Sequence, residues 1–130
     1  MHTVTGTFDI KLTPSPVKEG ARIARMSFSK EFQGQMRGSS SGEMLAVGTS
    51  TSEAGAYVAI EWVIASLDGK QGSFALHHNG TKQHGQSRMD IAVVPDSGSA
   101  DLTGIAGQFE IRIEGGKHYY RFDYTLPETR

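Results

Sequence analysis

Residues 56–80 read AYVAIEWVIASLDGKQGSFALHHNG, two apolar runs on either side of Asp68-Gly69. This dipeptide favours a tight hairpin turn, because glycine adopts a positive φ without steric cost. Both runs are rich in β-branched and aromatic residues, which are typical of strands. A helix over Ala56–Leu67 is the alternative, but four β-branched residues, Trp62 and the Asp-Gly stop disfavour it. We therefore predict a β-hairpin of two long strands.

The type of turn determines which side chains share a face, and two registers compete. In a two-residue turn Leu67 faces Lys70, and Glu61 and His78 then share the inner face. In a three-residue loop Ser66 faces Lys70, and Glu61 points outward. A slip of one residue exchanges the two faces completely. Hydrophobicity alone favours the second register, because its inner face is more apolar.

The composition limits the classes of protein to which this chain can belong. The chain has 130 residues, which predicts a single domain over residues 1–130, with a net charge of −1 and scattered basic residues. We therefore expect no nucleic-acid partner and no membrane partner. There is no cysteine, and the first residues, MHTVTGTFDIKL, lack an apolar signal core, so we expect a cytoplasmic location. The 16 glycines suit an all-β protein with many turns.

Alternating apolar and polar residues predict further strands at Thr3–Leu12, Arg22–Phe32 and Ser87–Val94. Proline then interrupts the first strand at Pro14. Gly34 and Gly38 are expected to interrupt the segment before Gly42–Gly48. Turns are available at both Asn79-Gly80 and His84-Gly85, and only one of them is needed.

The register is clearest near the carboxyl end of the chain. A two-residue turn at Gly115-Gly116 places Glu114 opposite Lys117 and Glu110 opposite Arg121, so opposite charges meet across the strands. In the loop Asp96–Gly107 we predict a short strand or bulge near Ala100–Leu102.

About eight strands and no convincing helix predict an all-β fold. Eight antiparallel strands in one small domain most simply close into a barrel, which leaves no exposed edges, and a sandwich is the alternative. Such a barrel has a lumen that is filled by side chains or holds one small ligand. The predicted core consists of Phe8, Met26, Phe28, Phe74, Leu76, Ile91, Phe109, Ile111, Tyr120 and Phe122.

Several blocks of the chain resemble one family in the same order. They are SGEML from Ser41, YVAIEWV and LDGKQGSFALHH in the hairpin, VVPDSGSADLTGIAG from Val93 and GKHYYRFDYTL from Gly116. The chain resembles domain of unknown function family 3224 from about Gly6 to Leu126. That family is similar to the allene oxide cyclase barrel group and has no established activity. The resemblance implies an eight-stranded barrel of the allene oxide cyclase-like or calycin-like kind.

The resemblance also bears on the register. The family pattern of a glutamate, then L-D-G-x-x-G-S-F and a later histidine, falls on Glu61, Leu67–Phe74 and His78. The residue after the glutamate is not a fixed part of that pattern, and here it is Trp62. A free choice suits an outward position, so we predict the two-residue turn, with Glu61 and His78 inside.

Glu61 and His78 are the candidate catalytic groups, because a carboxylate and an imidazole in a closed cavity could polarise a ligand or move a proton. Lys30 is expected in the same lumen. Tyr57, Tyr120 and Tyr124 complete the predicted ligand-binding set. The competing interpretation is a purely structural pair of satisfied charges.

Other motifs carry little chemistry. His77, His78 and His84 do not predict a metal site, since adjacent strand residues point to opposite faces, and we expect neither metal nor cofactor. Gly38–Gly42 reads GSSSG, but a nucleophile elbow requires a helix after it and none is predicted.

Three functions remain open. The first is binding of a small, largely apolar molecule in the lumen. The second is a cofactor-free isomerase or cyclase like the barrel group that the family resembles. The third is a structural role with a filled core.

The predicted register also leaves an outward apolar stripe, which we expect to form a homodimer interface. Its members are Val58, Ile60, Trp62 and Ile64.

Overall fold

The structure is a computed structural model that describes residues 1–16, 22–48, 54–84 and 86–127. Eight antiparallel strands close into one barrel in sequence order, and the first strand pairs with the last. The predicted all-β eight-stranded barrel is therefore confirmed. The strands are β1 (His2–Pro14), β2 (Ala24–Gly34), β3 (Met36–Gly48), β4 (Gly55–Leu67), β5 (Lys70–Gln83), β6 (Gln86–Val93), β7 (Ala106–Glu114) and β8 (Lys117–Thr125).

The hairpin of β4 and β5 has the two-residue turn. Leu67 pairs with Lys70, and Asp68 and Gly69 adopt φ angles of 50° and 80°. Positive φ at both central positions is the geometry of a type I′ turn, whose twist matches that of the flanking strands. The predicted register is confirmed, and it turns Glu61 inward.

The hairpin of β7 and β8 also follows the prediction. Glu114 pairs with Lys117 and Glu110 pairs with Arg121 across the turn. The turn after β5 lies at His84 rather than at Asn79-Gly80, because β5 continues to Gln83, which pairs with Gln86. Gly85, the other half of that predicted turn, lies outside the described residues.

Three local predictions were wrong. β1 continues through Pro14, which pairs with Met26, because a proline at a strand end removes only one donor. Gly38 does not break β3, which runs from Met36 to Gly48. Ala100–Leu102 is a short 3-10 helix rather than a strand or bulge.

A glycine inside β3 makes room for an aromatic ring. A Cβ at Gly42 would lie 2.5 Å from Cζ of Phe28 and 2.4 Å from the carbonyl oxygen of Ile60. A larger residue at this position would therefore force the Phe28 ring and the Ile60 backbone to shift.

Aromatic and aliphatic side chains fill most of the lumen. Of the ten predicted core residues, eight are buried, while Met26 and Ile111 are half-buried. The 3-10 helix places Leu102 against one end of the barrel, where it is fully buried with Met36 and Leu67. That end is packed solid, so any cavity has to lie nearer the other end.

Candidate functional site

Glu61 is fully buried in the lumen, halfway along β4. Gly42 of β3 and Leu76 of β5 are its cross-strand neighbours. An isolated carboxylate is costly to bury as an anion, so the surrounding groups determine whether this position is tolerable.

Three side chains from three other strands contact the Glu61 carboxylate. Nζ of Lys30 on β2 lies 3.0 Å from Oε1, and Nε2 of His78 on β5 lies 2.8 Å from the same oxygen. Oγ of Ser40 on β3 donates to Oε2 at 2.5 Å. All three partners are themselves buried. The predicted proximity of Glu61, His78 and Lys30 is therefore found, and both carboxylate oxygens are occupied.

These contacts keep Glu61 ionised. Burial by itself raises the pKa of the carboxyl group, but the hydrogen bonds from His78 and Ser40 and the positive charge of Lys30 outweigh it. The net result is a pKa below the usual value of a glutamate. The buried ion pair of Glu61 and Lys30 carries no net charge.

Two phenyl rings provide further contacts for the Lys30 ammonium. Nζ lies 4.9 Å from the ring centroid of Phe8 and 5.3 Å from that of Phe28. Cation–π attraction of this kind is stronger away from water. Lys30 is thus held between one carboxylate and two aromatic faces.

Glu61 fixes the orientation of His78. Because an ionised carboxylate only accepts, Nε2 carries the proton and Nδ1 has a free lone pair in the neutral ring. Nδ1 has no hydrogen-bond partner among the residues that the structure describes. No fully buried side-chain nitrogen or oxygen in that part of the chain lacks a partner, so Nδ1 retains some accessible surface.

A cavity of about 160 Å³ occupies the end of the lumen opposite the 3-10 helix. Its polar lining comes from Lys30, Tyr57, His78 and His118, and the other walls are apolar. The apolar lining residues are Phe8, Ile10, Leu12, Phe28, Met44, Ala59, Met89, Ile111 and Ile113. Glu61 does not line the cavity, because Lys30 and His78 lie between.

The three predicted tyrosines occupy different places. Tyr57 lines the cavity, and burial, followed by the charge of Glu61, raises its pKa, so it stays neutral. The hydroxyl of Tyr120 donates to backbone oxygens of Gln33 and Met36, and the Met36 N–H donates to it. The hydroxyl of Tyr124 donates to Asp68. The structure does not bring Tyr120 and Tyr124 to this cavity.

Ser40 is the site residue that sequence reasoning missed. It is the middle serine of the GSSSG string, which lies within β3 and is followed by no helix. Its pairing with Lys30 places both side chains on the inner face, but no sequence signal marked it, because the facing of β3 could not be read from its small residues. Ser40 satisfies a carboxylate oxygen here and is not a nucleophile.

The histidine pair is divided as strand geometry requires. His77 is exposed on the outer face, and His78 is buried inside. Among residues 1–16, 22–48, 54–84 and 86–127, no three histidine, aspartate or glutamate side chains converge as a metal site would require.

Strand pairing around the barrel is shortest between β6 and β7. Only Ile91 with Phe109 and Ala92 with Gln108 pair across this seam in the described residues. An outer depression of about 920 Å³ lies over it, and Met89 and Ile111 line both that depression and the luminal cavity.

Comparison with known proteins agrees with this architecture. A sequence profile described as "Protein of unknown function (DUF3224)" matches residues 4–124. The chain belongs to the DUF3224 family. A crystal structure of a DUF3224 protein of unknown function from Shewanella oneidensis MR-1 is 41% identical over 99% of each chain, with a TM-score of 0.92. No curated protein matches this DUF3224 chain.

The described part of this DUF3224 protein contains no helix that is both long and apolar enough to cross a membrane.

Proposed function

We propose that this protein binds a small, largely apolar molecule in the luminal cavity. The observation that carries the proposal is the cavity of about 160 Å³, with mostly apolar walls and four polar side chains, Lys30, Tyr57, His78 and His118. An apolar cavity of about 150 Å³ is known to hold a benzene molecule. The part of the ligand inside the lumen is therefore about the size of one ring.

The arrangement of the polar groups supports binding with orientation. Ligand sites are typically apolar with a few fixed polar groups that set the pose. His78 is held by Glu61, and Lys30 is held by Glu61 and the two phenyl rings, so neither has to be ordered when a ligand arrives. A preorganised site loses less entropy on binding.

The second candidate function is a cofactor-free isomerase or cyclase. It requires a charged group in contact with the substrate, and Glu61 is fully buried and does not line the cavity. The groups that line the cavity and can accept a proton are the imidazoles of His78 and His118, and neither is a charged carboxylate. The geometry therefore supports binding more strongly than catalysis. A purely structural role is supported least, because the lumen is not filled at this end.

The seam between β6 and β7 supports a side route for the ligand. Met89 and Ile111 line the cavity and the outer depression alike, and strand pairing there is short. A small opening of this seam would admit a ring-sized molecule without unfolding the barrel.

The test is a titration of the protein with benzene, followed by NMR of ¹³C-labelled methionine methyl groups. Met44 and Met89 line the cavity, whereas Met36 is fully buried at the packed end. Saturable shifts at Met44 and Met89 without one at Met36 support the proposal. Ala59→Phe, which fills the cavity, should abolish the shifts. Unchanged spectra in the folded wild type, or equal shifts in the variant, overturn the proposal.

We also propose that the protein forms a homodimer through the outer face of β3 and β4. Val58, Ile60, Trp62 and Ile64 expose 53%, 59%, 45% and 60% of their surfaces, and Leu45 and Val47 extend the patch onto β3. Fully burying one such side chain is worth roughly 1.5–3 kcal/mol, so covering this patch is strongly favourable. A contiguous apolar patch on a β-sheet is typical of an interface.

The charges around the patch favour a second copy of the same chain as its partner. In β3 and β4, which are described in full, the outward charged side chains are Arg37 and Glu43, six residues apart on β3. Consider a two-fold axis that lies in the plane of the interface, perpendicular to the strands, between the rows of Trp62 and Ile64. This axis places β3 of one copy over β3 of the other, with the two strands running in opposite directions. Arg37 of each protomer then faces Glu43 of the other, which makes the surface self-complementary.

We place this protein in the cytoplasm as part of the proposal. A cysteine-free chain is compatible with a reducing compartment.

A further inference from the structure

The hydrogen-bonding character of the cavity follows from the way Glu61 holds His78. The carboxylate occupies Nε2 at 2.8 Å and can only accept, so the proton of the neutral imidazole stays on that nitrogen. The other ring nitrogen then presents a lone pair. The His78 ring lies among cavity-lining residues, with centroids 6.3 Å from Phe28 and 6.4 Å from Tyr57. Because Glu61 occupies Nε2, Nδ1 is the nitrogen of His78 that remains for a ligand.

The charge balance of the site disfavours an anion. The Lys30 ammonium lines the cavity, but its charge is already matched by Glu61 at 3.0 Å. A carboxylate ligand would place a second anion beside one cation in a medium of low dielectric, and would lose its hydration to do so. A carboxylate also has no proton to donate to Nδ1. A neutral donor satisfies the acceptor without either cost.

We propose that the cavity selects a neutral, ring-sized ligand with an O–H or N–H group, and that this group donates its hydrogen bond to Nδ1 of His78. The inference rests on the proposed function, because it names the ligand class of the same site. The aromatic walls formed by Phe8, Phe28 and Tyr57 suit an aromatic ring. Phenol is a simple molecule with these properties.

The test compares three ring compounds on the folded wild-type protein at pH 8, with the Met44 and Met89 methyl groups as reporters. Phenol carries the donor, fluorobenzene is similar in size without a donor, and benzoate is the anion. We expect phenol to bind about five- to tenfold more tightly than fluorobenzene, which is the contribution of one net hydrogen bond. Benzoate should bind most weakly.

The outcomes separate this inference from the proposed function. If none of the three compounds shifts the reporters, the luminal binding proposal fails. If phenol and fluorobenzene bind equally, the cavity binds rings but His78 does not select them, and the inference is overturned. Tighter binding of benzoate than of phenol overturns the inference as well, because the Lys30 ammonium then selects an anion.

Two further measurements test the role of His78 itself. His78→Phe keeps a planar ring and removes the acceptor, so it should bind fluorobenzene at least as well as the wild type and lose the preference for phenol. If this variant does not fold, ¹⁵N NMR of the wild-type imidazole gives the answer directly. We expect a protonated Nε2 and an unprotonated Nδ1, whose signal moves when phenol is added. A proton on Nδ1 without ligand contradicts the inference.

Discussion

Nε2 of His78 and Oε1 of Glu61 lie 2.8 Å apart in the lumen, on neighbouring strands of one hairpin. The contact exists because a two-residue turn joins the strands, so that Ala59, two positions before Glu61, is paired with His78. Glu61 is hidden behind the ring, and His78 faces the cavity. The carboxylate thus acts on a ligand through the imidazole that it orients.

Replacing Glu61 by glutamine should destabilise the barrel. The amide is similar in shape but leaves the buried Lys30 ammonium without a countercharge, which typically costs about 3 kcal/mol or more. Urea unfolding of the wild type and Glu61→Gln measures this difference. Glu114→Gln is the matched control, since Glu114 pairs with Arg112 on the exposed surface of β7, and such pairs are worth less than about 1 kcal/mol. Equal losses in both variants would contradict the buried ion pair.

The same carboxylate predicts how stability depends on pH. The pKa of Glu61 is lowered in the folded state, so its stabilising contribution is complete above the ordinary glutamate value of 4.5 and is lost as the pH falls through the lower folded value. Wild-type unfolding free energy should therefore decrease in acid more steeply than that of Glu61→Gln. If the unfolding free energies of the two proteins decrease equally steeply in acid, Glu61 is not held ionised.

The register and the buried cluster of Glu61, His78 and Lys30 show how much of the site could be predicted from the sequence. The Asp-Gly turn and the family pattern predicted that Glu61 and His78 share the inner face, the alternation in Arg22–Phe32 added Lys30, and the three are found together. Alternation alone could not choose the register, because the stripe from Val58 to Ile64 is more apolar than the inner face that contains Glu61. The buried charge is tolerable only through partners on other strands, which are far away in sequence.

Trp62→Arg should convert a dimer into folded monomers. The arginine places a charge at the centre of the apolar face, where two copies would meet, and burying it without a partner is unfavourable. Sedimentation at micromolar concentration measures the subunit number. Thr125→Arg is the control, because it is exposed on β8, four strands away from β4. A monomeric wild type would exclude the proposed interface.

A disulfide across the seam between β6 and β7 should slow ligand exchange. Met89 and Ile111 would be the second pair, after Asp90 and Glu110, if the ladder continued beyond Ile91 and Phe109, and the chain has no other cysteine to interfere. The double variant Met89→Cys/Ile111→Cys is compared in oxidised and reduced form. We expect slower association and dissociation of benzene when oxidised. Identical rates in the two forms would rule out access through this seam.

Tyr124→Phe should lower stability without changing ligand affinity. Its hydroxyl donates to Asp68, and burial and then that carboxylate raise the pKa of the phenol. Losing a hydrogen bond to a charged group costs roughly 1.5–3 kcal/mol. Tyr57→Phe is the comparison, because Tyr57 lines the cavity. If Tyr124→Phe weakens phenol binding and Tyr57→Phe does not, the site lies at the other end of the barrel.

The rest of the site could not be predicted because it depends on distances along the barrel axis. Alternation places Tyr57, Tyr120 and Tyr124 on the inner face equally well, but only Tyr57 is at the level of the cavity. Tyr120 is instead engaged by the backbone of Met36. Ser40 gave no signal, since serines and glycines on both faces of β3 look alike in sequence.

Native mass spectrometry of freshly purified protein tests the luminal binding proposal most directly. Wild type and Ala59→Phe are compared under identical conditions, because Ala59 lines the cavity beside His78 and the phenyl group would fill it. We predict an additional small mass on the wild-type chain that is released on unfolding and is absent from the variant. A wild-type chain without any bound mass, which also fails to take up added phenol, would contradict the account.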